Sequence, residues 1–255
     1  MSEFWTTAIS RVAPNDIMVR GYRIEDLTRQ CSFGDVMYLL LTGELPVGRQ
    51  GRMVEAMLVC CCEHSLASPS VDAVRFVASA GVPLQAAVAA GVTAIGDTHG
   101  GAIEPCARII QAAVRDGTTA DELLAGLRSR KERMPGFGHR VHTADPRVTV
   151  LFDLAREYGL HGSHCDFARD LEHATERAYG RRINMNVDGA IGAILCDLGM
   201  DPALGKSFFI VGRAPGYVAH AYEQVTRERP FKAAEPEDIT YTGPAARPVP
   251  DHFTI

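Results

Sequence analysis

The sequence predicts an all-α protein, and three observations support that prediction. Apolar residues recur along most of the 255 positions with the spacing of amphipathic helices, and no convincing strand-helix-strand series is visible. Helix-start signals accompany the pattern, namely the capping box Thr119-Ala-Asp-Glu122 and the Asp145-Pro146 pair. The chain is 46% hydrophobic and 22% charged, which is ordinary for a globular protein with a substantial core.

The first clear helical segments lie in the middle of the chain. Residues 83–96 are apolar and small, which is typical of a buried helix that another helix, or another subunit, approaches closely. The Asp145-Pro146 pair supplies an N-cap followed by a proline at the first helical position. We therefore expect a helix over roughly residues 146–158, with Arg147 in its first turn.

Two further helices and an arm complete the chain. Asn186 can cap the apolar run that follows it, which places Asp188 in the opening turn of that helix. A carboxylate there is favoured by the helix dipole, so Asp188 has a purely stabilising interpretation as well as a chemical one. Residues 203–225 form one more long helical pattern, and the proline-rich residues 235–251 predict an extended arm.

Composition disfavours several classes of function. No stretch reaches the roughly 18 uninterrupted apolar residues of a membrane span, and the N-terminal residues lack the apolar core of a secretory signal. The formal net charge of −5 argues against a nucleic-acid partner. Seven cysteines, an odd number, indicate reduced thiols rather than a disulfide framework. A cytoplasmic protein is therefore expected.

Two short clusters raise the question of a metal site. Successive side chains of a helix point about 100° apart, so the adjacent thiols Cys60 to Cys62 cannot converge on one tetrahedral ion, and packed thiols are expected. The HGSHC segment, His161 to Cys165, is a better metal pattern, but no second cluster at a recognisable spacing accompanies it. A solvated helix entrance is the alternative there, and no metal ligand is assigned.

One segment is basic although the whole chain is acidic. Residues 128–147 carry six arginines and lysines against two acidic residues, a net of +4. Such a cluster has a bland interpretation as a solvated face. Around the glycine-rich loop PGFGH it fits a small, strongly anionic ligand better.

Polar groups that are unusual in a helical core stand at five separate places. Each has a structural interpretation, since a histidine beside glycines often sits at a turn and an arginine often caps a helix end. Together, a carboxylate, several histidines and several arginines resemble a set for proton abstraction beside a carbonyl, with cationic groups that hold a carboxylate substrate. The five residues are His64, His99, His139, Asp188 and Arg213.

Ordered motifs along almost the whole chain carry a family resemblance: RGYRIEDLTRQCSFGDVMYLLLTGELP, GDTHGGAIEP, PGFGHRVHTADPR, NVDGAIGAI, VGRAPGYVAHAYEQ, and ERP followed by ITYTGP. Together they resemble the citrate synthase superfamily. The resemblance implies an all-α, citrate synthase-like fold with a large helical domain, residues 1–100 and 200–255, for dimerisation and oxaloacetate binding. Residues 101–199 would form a small CoA-binding domain. The long helical insert that follows TGELP in citrate synthases is missing, so a reduced large domain is expected.

The resemblance also implies a role for each polar residue. Asp188 would be the base at the methyl carbon of acetyl-CoA, His99 would hydrogen-bond the thioester oxygen, and His139 would handle the proton on the oxaloacetate carbonyl oxygen. The substrate carboxylates would be bound by His64, Arg147, Arg213 and Arg229, the last from a neighbouring subunit of a homodimer. CoA would contact Pro135, Gly136, Phe137, Gly138 and, with less support, Arg140.

Within the superfamily, this short chain resembles citryl-CoA lyases, including the lyase module of ATP-citrate lyase, through NVDGAIG, FIVGRAPGYVAHAYEQ and EDITY. The implied reaction is reversible cleavage of (3S)-citryl-CoA to acetyl-CoA and oxaloacetate, with the CoA thioester as substrate and no permanently bound cofactor. The chain has no GxxxxGK[ST] phosphate loop for ATP. The alternatives are a compact citrate or 2-methylcitrate synthase, a lyase for another 2-hydroxy acyl-CoA, and a non-catalytic CoA-binding protein.

Overall fold

The computed structural model describes residues 4–250, and its architecture is helical. The all-α prediction is confirmed, because eleven α-helices account for most of the described residues. The strands are β1 (Ser10–Ala13), β2 (Asp16–Val19) and β3 (Tyr22–Arg23). The helices are α1 (Ile24–Gln30), α2 (Phe33–Thr42), α3 (Gln50–Cys61), α4 (Pro69–Ser79), α5 (Leu84–Thr93), α6 (Ile103–Asp116), α7 (Ala120–Ser129), α8 (Pro146–Glu157), α9 (Ser163–Tyr179), α10 (Val187–Asp197) and α11 (Gly205–Arg227). Short 3-10 turns cover Pro202–Leu204 and Pro236–Asp238.

The small sheet near the N-terminus was not predicted. Its three strands are antiparallel in the order β1-β2-β3, with Ser10 opposite Val19. Asn15 and Gly21 have φ angles of 60° and 88°, which supply the left-handed backbone of the two tight turns. Strands of four, four and two residues are too short to produce a readable alternation of apolar and polar positions.

The predicted caps and most predicted helices are confirmed. Thr119 accepts a hydrogen bond from the Glu122 amide at the start of α7, and the Glu122 carboxylate accepts one from the Thr119 amide. Asp145 caps α8, which spans nearly the expected residues, and Asn186 caps α10. The long helix predicted over residues 203–225 is α11, and an exposed, extended arm follows it.

The prediction of a buried helix over residues 83–96 is wrong for the single chain. Helix α5 is there, but only Ala87 and Gly91 are buried, and Leu84 remains 49% exposed. Gly91 faces Val74 of α4 and Tyr217 of α11, so the small residues serve close packing along one side of the helix. Contact of the other side with a second subunit stays a prediction.

The core has two parts, and the larger one joins most of the helices. It contains Met53 of α3, Ile103 of α6, Phe152 of α8, Ile194 of α10 and Phe208 of α11. A smaller cluster lies between α4, α5 and α11. The larger core therefore includes residues of both expected domains, and the division at residues 100 and 200 stays a prediction. The expected large domain also includes residues 1–3 and 251–255, which lie outside the described part of the chain.

The contact between α3 and α11 places the middle of α11 beside the end of α3. A Cβ atom at Gly212 would stand 2.6 Å from the Cβ of Cys61, so only glycine allows this approach. The insert of citrate synthases is expected between TGELP, which ends at Pro46, and the segment that begins at Cys61, and in this chain only residues 47–49 and α3 lie there. Six residues, 63–68, then join α3 to α4. Within the part of the chain that the structure covers, no helix has the length and apolar character needed to cross a membrane.

Candidate active site

Two arginines meet at the C-terminal end of α3. The buried Arg213 of α11 donates a hydrogen bond from Nε to the Cys61 carbonyl, and Arg147 of α8 donates one to the Cys60 carbonyl over 3.4 Å. Helix C-termini leave carbonyls without helical partners and carry partial negative charge, so they suit a guanidinium. The cysteine run thus contributes backbone oxygens to the site.

The arginines contact the backbone carbonyls of Cys60 and Cys61 and not the thiols of these residues. Cys61 is fully buried, and burial raises the pKa of its thiol. Cys60 and Cys62 are partly exposed, and burial raises the pKa of Cys60 as well. The expectation of packed, unreactive thiols therefore fits Cys61 and holds only in part for its two neighbours.

Arg147 is held on its other side by Asp145. The Asp145 carboxylate accepts hydrogen bonds from Nε and Nη2 of Arg147 at 2.9 and 2.8 Å, and one from the Val187 amide at 3.1 Å. Burial disfavours the charge of Asp145, but the hydrogen bonds and charge of Arg147 outweigh it and lower the pKa of this carboxyl. Asp145, the N-cap residue of α8, thereby fixes the guanidinium of Arg147 in the same helix.

Asp188 stands in the first turn of α10, where Asn186 accepts hydrogen bonds from the amides of Asp188 and Gly189. The residue is partly exposed, but its carboxyl group lies deep in the site. Burial raises the pKa of Asp188 to about 6, against the opposing charges of Arg147 and Arg213. A carboxyl that only stabilised the helix dipole would have its charge favoured, so the raised pKa fits a proton carrier better.

His99 lies in a tight turn between α5 and α6, closed by hydrogen bonds between the backbones of Gly96 and His99. Its Nε2 is 2.7 Å from the hydroxyl oxygen of the buried Ser70, and its ring meets Phe209 edge-on at 5.5 Å between centroids. Burial, followed by the charge of Arg213, lowers the pKa of His99. The imidazole is therefore neutral near pH 7.

The glycine-rich loop is joined to the segment that precedes α10. The Gly138 amide donates to the Asn184 carbonyl, and the Asn186 amide donates to the Gly136 carbonyl, at 2.8 and 2.9 Å. Gly136 has a φ of 77°, and a Cβ atom on it would stand 2.6 Å from the Cα of Gly189. The close approach that requires glycine at Gly136 is thus to α10 of the same chain. Approach of this loop to CoA stays a prediction.

His139, which follows this loop, has a defined tautomer. Its Nδ1 accepts hydrogen bonds from the amides of Val141 and His142, both at 3.0 Å. A nitrogen that accepts carries no hydrogen, so in the neutral ring the proton is on Nε2. Burial, together with the neighbouring His142 and His64, lowers the pKa of His139. The side chain therefore offers an Nε2-H group.

His64 and His142 complete a group of three imidazoles. The ring of His64 lies 5.2 Å from that of His139, and its Nε2 is 3.1 Å from the Nε2 of His142. Burial, then Arg147 and His142, lower the pKa of His64. Sequence reasoning missed His142: the residue lies in the PGFGHRVHTADPR motif, but the resemblance assigns it no role.

The three imidazoles are close enough to suggest a metal site, because one ligand atom of each lies within 4.8 Å of the others. The tautomer of His139 argues against a preformed site, since a neutral imidazole cannot ligate through the nitrogen that carries its hydrogen. The guanidinium of Arg147 beside them also repels a cation. The HGSHC segment is the entrance of α9, but it is not the solvated one that was the alternative: His161 pairs with Asp166, His164 pairs with the buried carboxylate of Asp197, and Cys165 is fully buried.

Comparison with known proteins identifies the family. The model of the citrate synthase C-terminal domain matches residues 3–52 and 48–234. The chain belongs to the citrate synthase family. Its fold matches a structure of citryl-CoA lyase from Hydrogenobacter thermophilus with a TM-score of 0.93 and 44% identity, over 98% of this chain and 99% of that one. A structure of Methanosaeta concilii ATP citrate lyase in complex with (3S)-citryl-CoA has a TM-score of 0.87 at 22% identity, covering 96% of this chain and 42% of that one, and shows the shared fold.

Longer relatives match with part of their length. A probable ATP-citrate synthase of Dictyostelium discoideum is 27% identical over 92% of this chain, and a putative citrate synthase 2 of Mycobacterium tuberculosis is 31% identical over 86% of it. This chain spans 41% and 58% of those two relatives. The family assignment confirms the resemblance seen in the sequence.

In this member of the citrate synthase family, one chain brings together His64, His99, His139, Arg147, Asp188 and Arg213. It does not bring Arg229 to them. Fourteen residues separate Arg213 from the end of α11 at Arg227, which is roughly 21 Å of helix. The backbone carbonyl of Arg229 accepts a hydrogen bond from Gln224 near that end. Arg140 is exposed beside the loop, away from these contacts.

Proposed function

We propose that this chain cleaves (3S)-citryl-CoA reversibly to acetyl-CoA and oxaloacetate. The observation that carries the proposal is Asp188, a deep carboxyl with a pKa of about 6 beside two anchored arginines and neutral histidines. Similarity to the citryl-CoA lyase of Hydrogenobacter thermophilus over nearly the whole of both chains supports the same reaction. The reaction needs a proton donor to carbon, a proton acceptor at the hydroxyl oxygen and cations for the carboxylates.

His139 handles the hydroxyl proton. In cleavage, the acceptor is the ring that has already released its Nε2 hydrogen: Nε2 of this imidazolate takes the proton from the citryl hydroxyl as the carbonyl of oxaloacetate forms and the carbon-carbon bond breaks, which restores the neutral Nε2-H ring. In condensation, Nε2-H returns it. The two backbone amides at Nδ1 stabilise negative charge on the ring, so they make Nε2-H a better acid in the condensation direction. The tautomer that these two hydrogen bonds imply is therefore the one that an oxaloacetate complex requires.

Asp188 completes the proton balance at carbon. The broken bond leaves its electron pair on the enolate of acetyl-CoA, and the protonated Asp188 delivers a proton to that carbon. A pKa of about 6 lies close enough to neutral pH for both protonation states to be accessible. His99 is held by Ser70 at Nε2, which leaves Nδ1 as the nitrogen for the thioester oxygen.

Arg147, Arg213 and His64 bind the carboxylates of the acid. The arginines are fixed by α3 carbonyls before substrate arrives, so little side-chain entropy is lost on binding. Arg229 acts in the site of a second copy in a homodimer, since it is remote from the site of its own chain. CoA lies along Pro135 to Gly138, with Arg140 beside its phosphates. No permanently bound cofactor is required, and the unpaired thiols suit the cytoplasm.

The test supplies authentic citryl-CoA, follows oxaloacetate by coupled reduction and identifies the CoA products by mass spectrometry. Acetyl-CoA and oxaloacetate in equal amounts are expected, with turnover lost in Asp188→Asn and kept in the control Asp26→Asn, an exposed residue of α1. Citrate with free CoA would instead identify a compact synthase. Turnover of only another 2-hydroxy acyl-CoA would change the substrate, and binding without turnover would identify a CoA-binding protein.

A further inference from the structure

The mechanism above leaves one residue of the site unused. His142 belongs to the same group of three imidazoles as His64 and His139, whose nitrogens lie within 4.8 Å of one another. Its ring is tilted by 31° against that of His139, with 4.5 Å between the centroids. A third imidazole at this place has no part in the proton transfers at carbon or at the hydroxyl oxygen.

The position of His142 is set by His139. The His142 amide donates a hydrogen bond to the His139 Nδ1, so the backbone of one residue is tied to the ring of the other. The His142 Nε2 then lies 3.1 Å from the His64 Nε2. His64 follows the end of α3, whereas His142 precedes α8, so this contact bridges two separate segments of the chain.

Only one hydrogen atom lies between the Nε2 atoms of His64 and His142. One of the two Nε2 atoms donates and the other accepts, because two N-H groups that faced each other would repel. Two nitrogens 3.1 Å apart can both reach one oxygen atom at about 2.8 Å, which is the ordinary length of such a hydrogen bond. An oxygen anion accepts only, so it satisfies both nitrogens where they cannot fully satisfy each other.

The charges around this point favour an anion. The guanidinium groups of Arg147 and Arg213 both act on His64, and Asp145, a carboxylate that acts on it as well, is already paired with Arg147. A metal cation is disfavoured by the tautomer of His139 and by Arg147, as described above. The ligand that suits nitrogen atoms this close together beside two guanidinium groups is therefore a carboxylate oxygen.

We propose that His142 is a third substrate-binding histidine, which donates a hydrogen bond to the same carboxylate oxygen of the four-carbon acid as His64. In the free enzyme the hydrogen bond between His142 and His64 takes the place of that oxygen. The proposal rests on the proposed function for the identity of the acid, oxaloacetate, but not for the location of the site.

Three variants test the role. His142→Phe keeps a flat ring against His139 and removes the nitrogen, while His142→Gln restores an N-H donor. His173→Phe makes the same substitution at an exposed histidine of α9 and is the matched control. Oxaloacetate binding is measured by calorimetry, KM and kcat for citryl-CoA by the coupled assay, and fold integrity by thermal unfolding. Histidine-selective nitrogen-15 labelling reports each ring nitrogen by NMR.

The expected result is a loss of oxaloacetate affinity of about tenfold in His142→Phe, with KM rising more than kcat falls, recovery in His142→Gln, and no change in His173→Phe. Saturating oxaloacetate should shift the His142 Nε2 resonance of the unsubstituted protein. Wild-type affinity in His142→Phe, or an unmoved His142 resonance, would overturn the proposal. Equal losses in the Phe and Gln variants with lowered melting temperatures would also overturn it, in favour of a structural role.

The same data separate this inference from the proposed function. If the protein does not turn over citryl-CoA but oxaloacetate binding still depends on His142, the lyase proposal fails and the binding role stands. If turnover is present and independent of His142, the reverse holds.

Discussion

Replacing Asp188 by asparagine is expected to stabilise the fold at alkaline pH while it removes activity. Burial raises the pKa of Asp188 to about 6 from an ordinary value of 3.8, so the folded protein disfavours the charged form of this carboxyl. Between those two values the folded state binds more protons than the unfolded chain, and stability falls as the pH rises. Asparagine never ionises, so it avoids that loss.

The magnitude follows from the two pKa values. At roughly 1.4 kcal/mol per pH unit, the charged Asp188 lowers the free energy of unfolding by about 3 kcal/mol at pH 8 and by about half as much at pH 5. Denaturant unfolding of the wild type and Asp188→Asn at both values, at one protein concentration because the chain is expected to dimerise, measures the difference. The advantage of the variant should grow with pH.

Asp145→Asn is the matched control, because the same substitution should have the opposite sign. The pKa of Asp145 in the folded protein lies below its ordinary value. Its negative charge therefore stabilises the fold at any pH above the ordinary pKa, and this stabilisation is lost as the pH falls through the pKa of the folded state. The variant should therefore be destabilised about equally at pH 8 and at pH 5, and less only below the ordinary pKa. A pH-independent gain in Asp188→Asn, or a loss at pH 8, would refute the assignment of a buried, raised-pKa carboxyl.

Two further predictions concern the loop and the dimer. Gly189→Ala places a Cβ against the Gly136 carbonyl, so it should lower the free energy of unfolding by about 1–3 kcal/mol and raise KM for citryl-CoA. The control Gly126→Ala in α7 should do neither, because a Cβ there would meet only Nη1 of the Arg130 side chain, at 3.4 Å. Unchanged stability in Gly189→Ala would contradict the close contact. Arg229→Ala and Asp188→Asn should each be inactive, yet mixed and re-associated subunits should regain about a quarter of wild-type activity, because half of the dimers are mixed and each has one intact site. No recovery in confirmed mixed dimers would mean that Arg229 acts within its own chain.

The parts of this molecule that sequence predicts well depend on neighbouring residues. The caps at Thr119, Asp145 and Asn186 are local hydrogen bonds, and the residue pattern contains both partners or the backbone group that follows. The helices that begin there were accordingly placed within a few residues. The family was also predicted, because several ordered motifs carry it, and the matching family model confirms it.

The parts that sequence did not predict depend on contacts between distant segments. Nothing near His142 in the sequence indicates that its ring meets His64, which is 78 positions earlier. Small apolar residues look alike in a core and on an exposed face, so the sequence of α5 predicts a buried helix although one side of it is exposed in the structure. The cysteine run suggests a role for its thiols, whereas its backbone carbonyls make the contacts to the arginines. Backbone groups are the same at every residue, so the sequence does not indicate this role.

The end of α3 explains why these distant segments assemble into one site. Its last carbonyls bind Arg147 from α8 and Arg213 from α11, and His64 follows directly in the chain. Both arginines are oriented before substrate is present, so carboxylate binding need not fix them, and catalysis gains from groups that are already in position. Arg147 also donates hydrogen bonds to the Asp145 carboxylate. The same carboxylate accepts a hydrogen bond from the amide of Val187, in the first turn of the helix that carries Asp188. The groups that we propose to hold the acid and the carboxyl that we propose to move the proton are thus connected through one carboxylate, so the protein sets the distance between them before a ligand is bound.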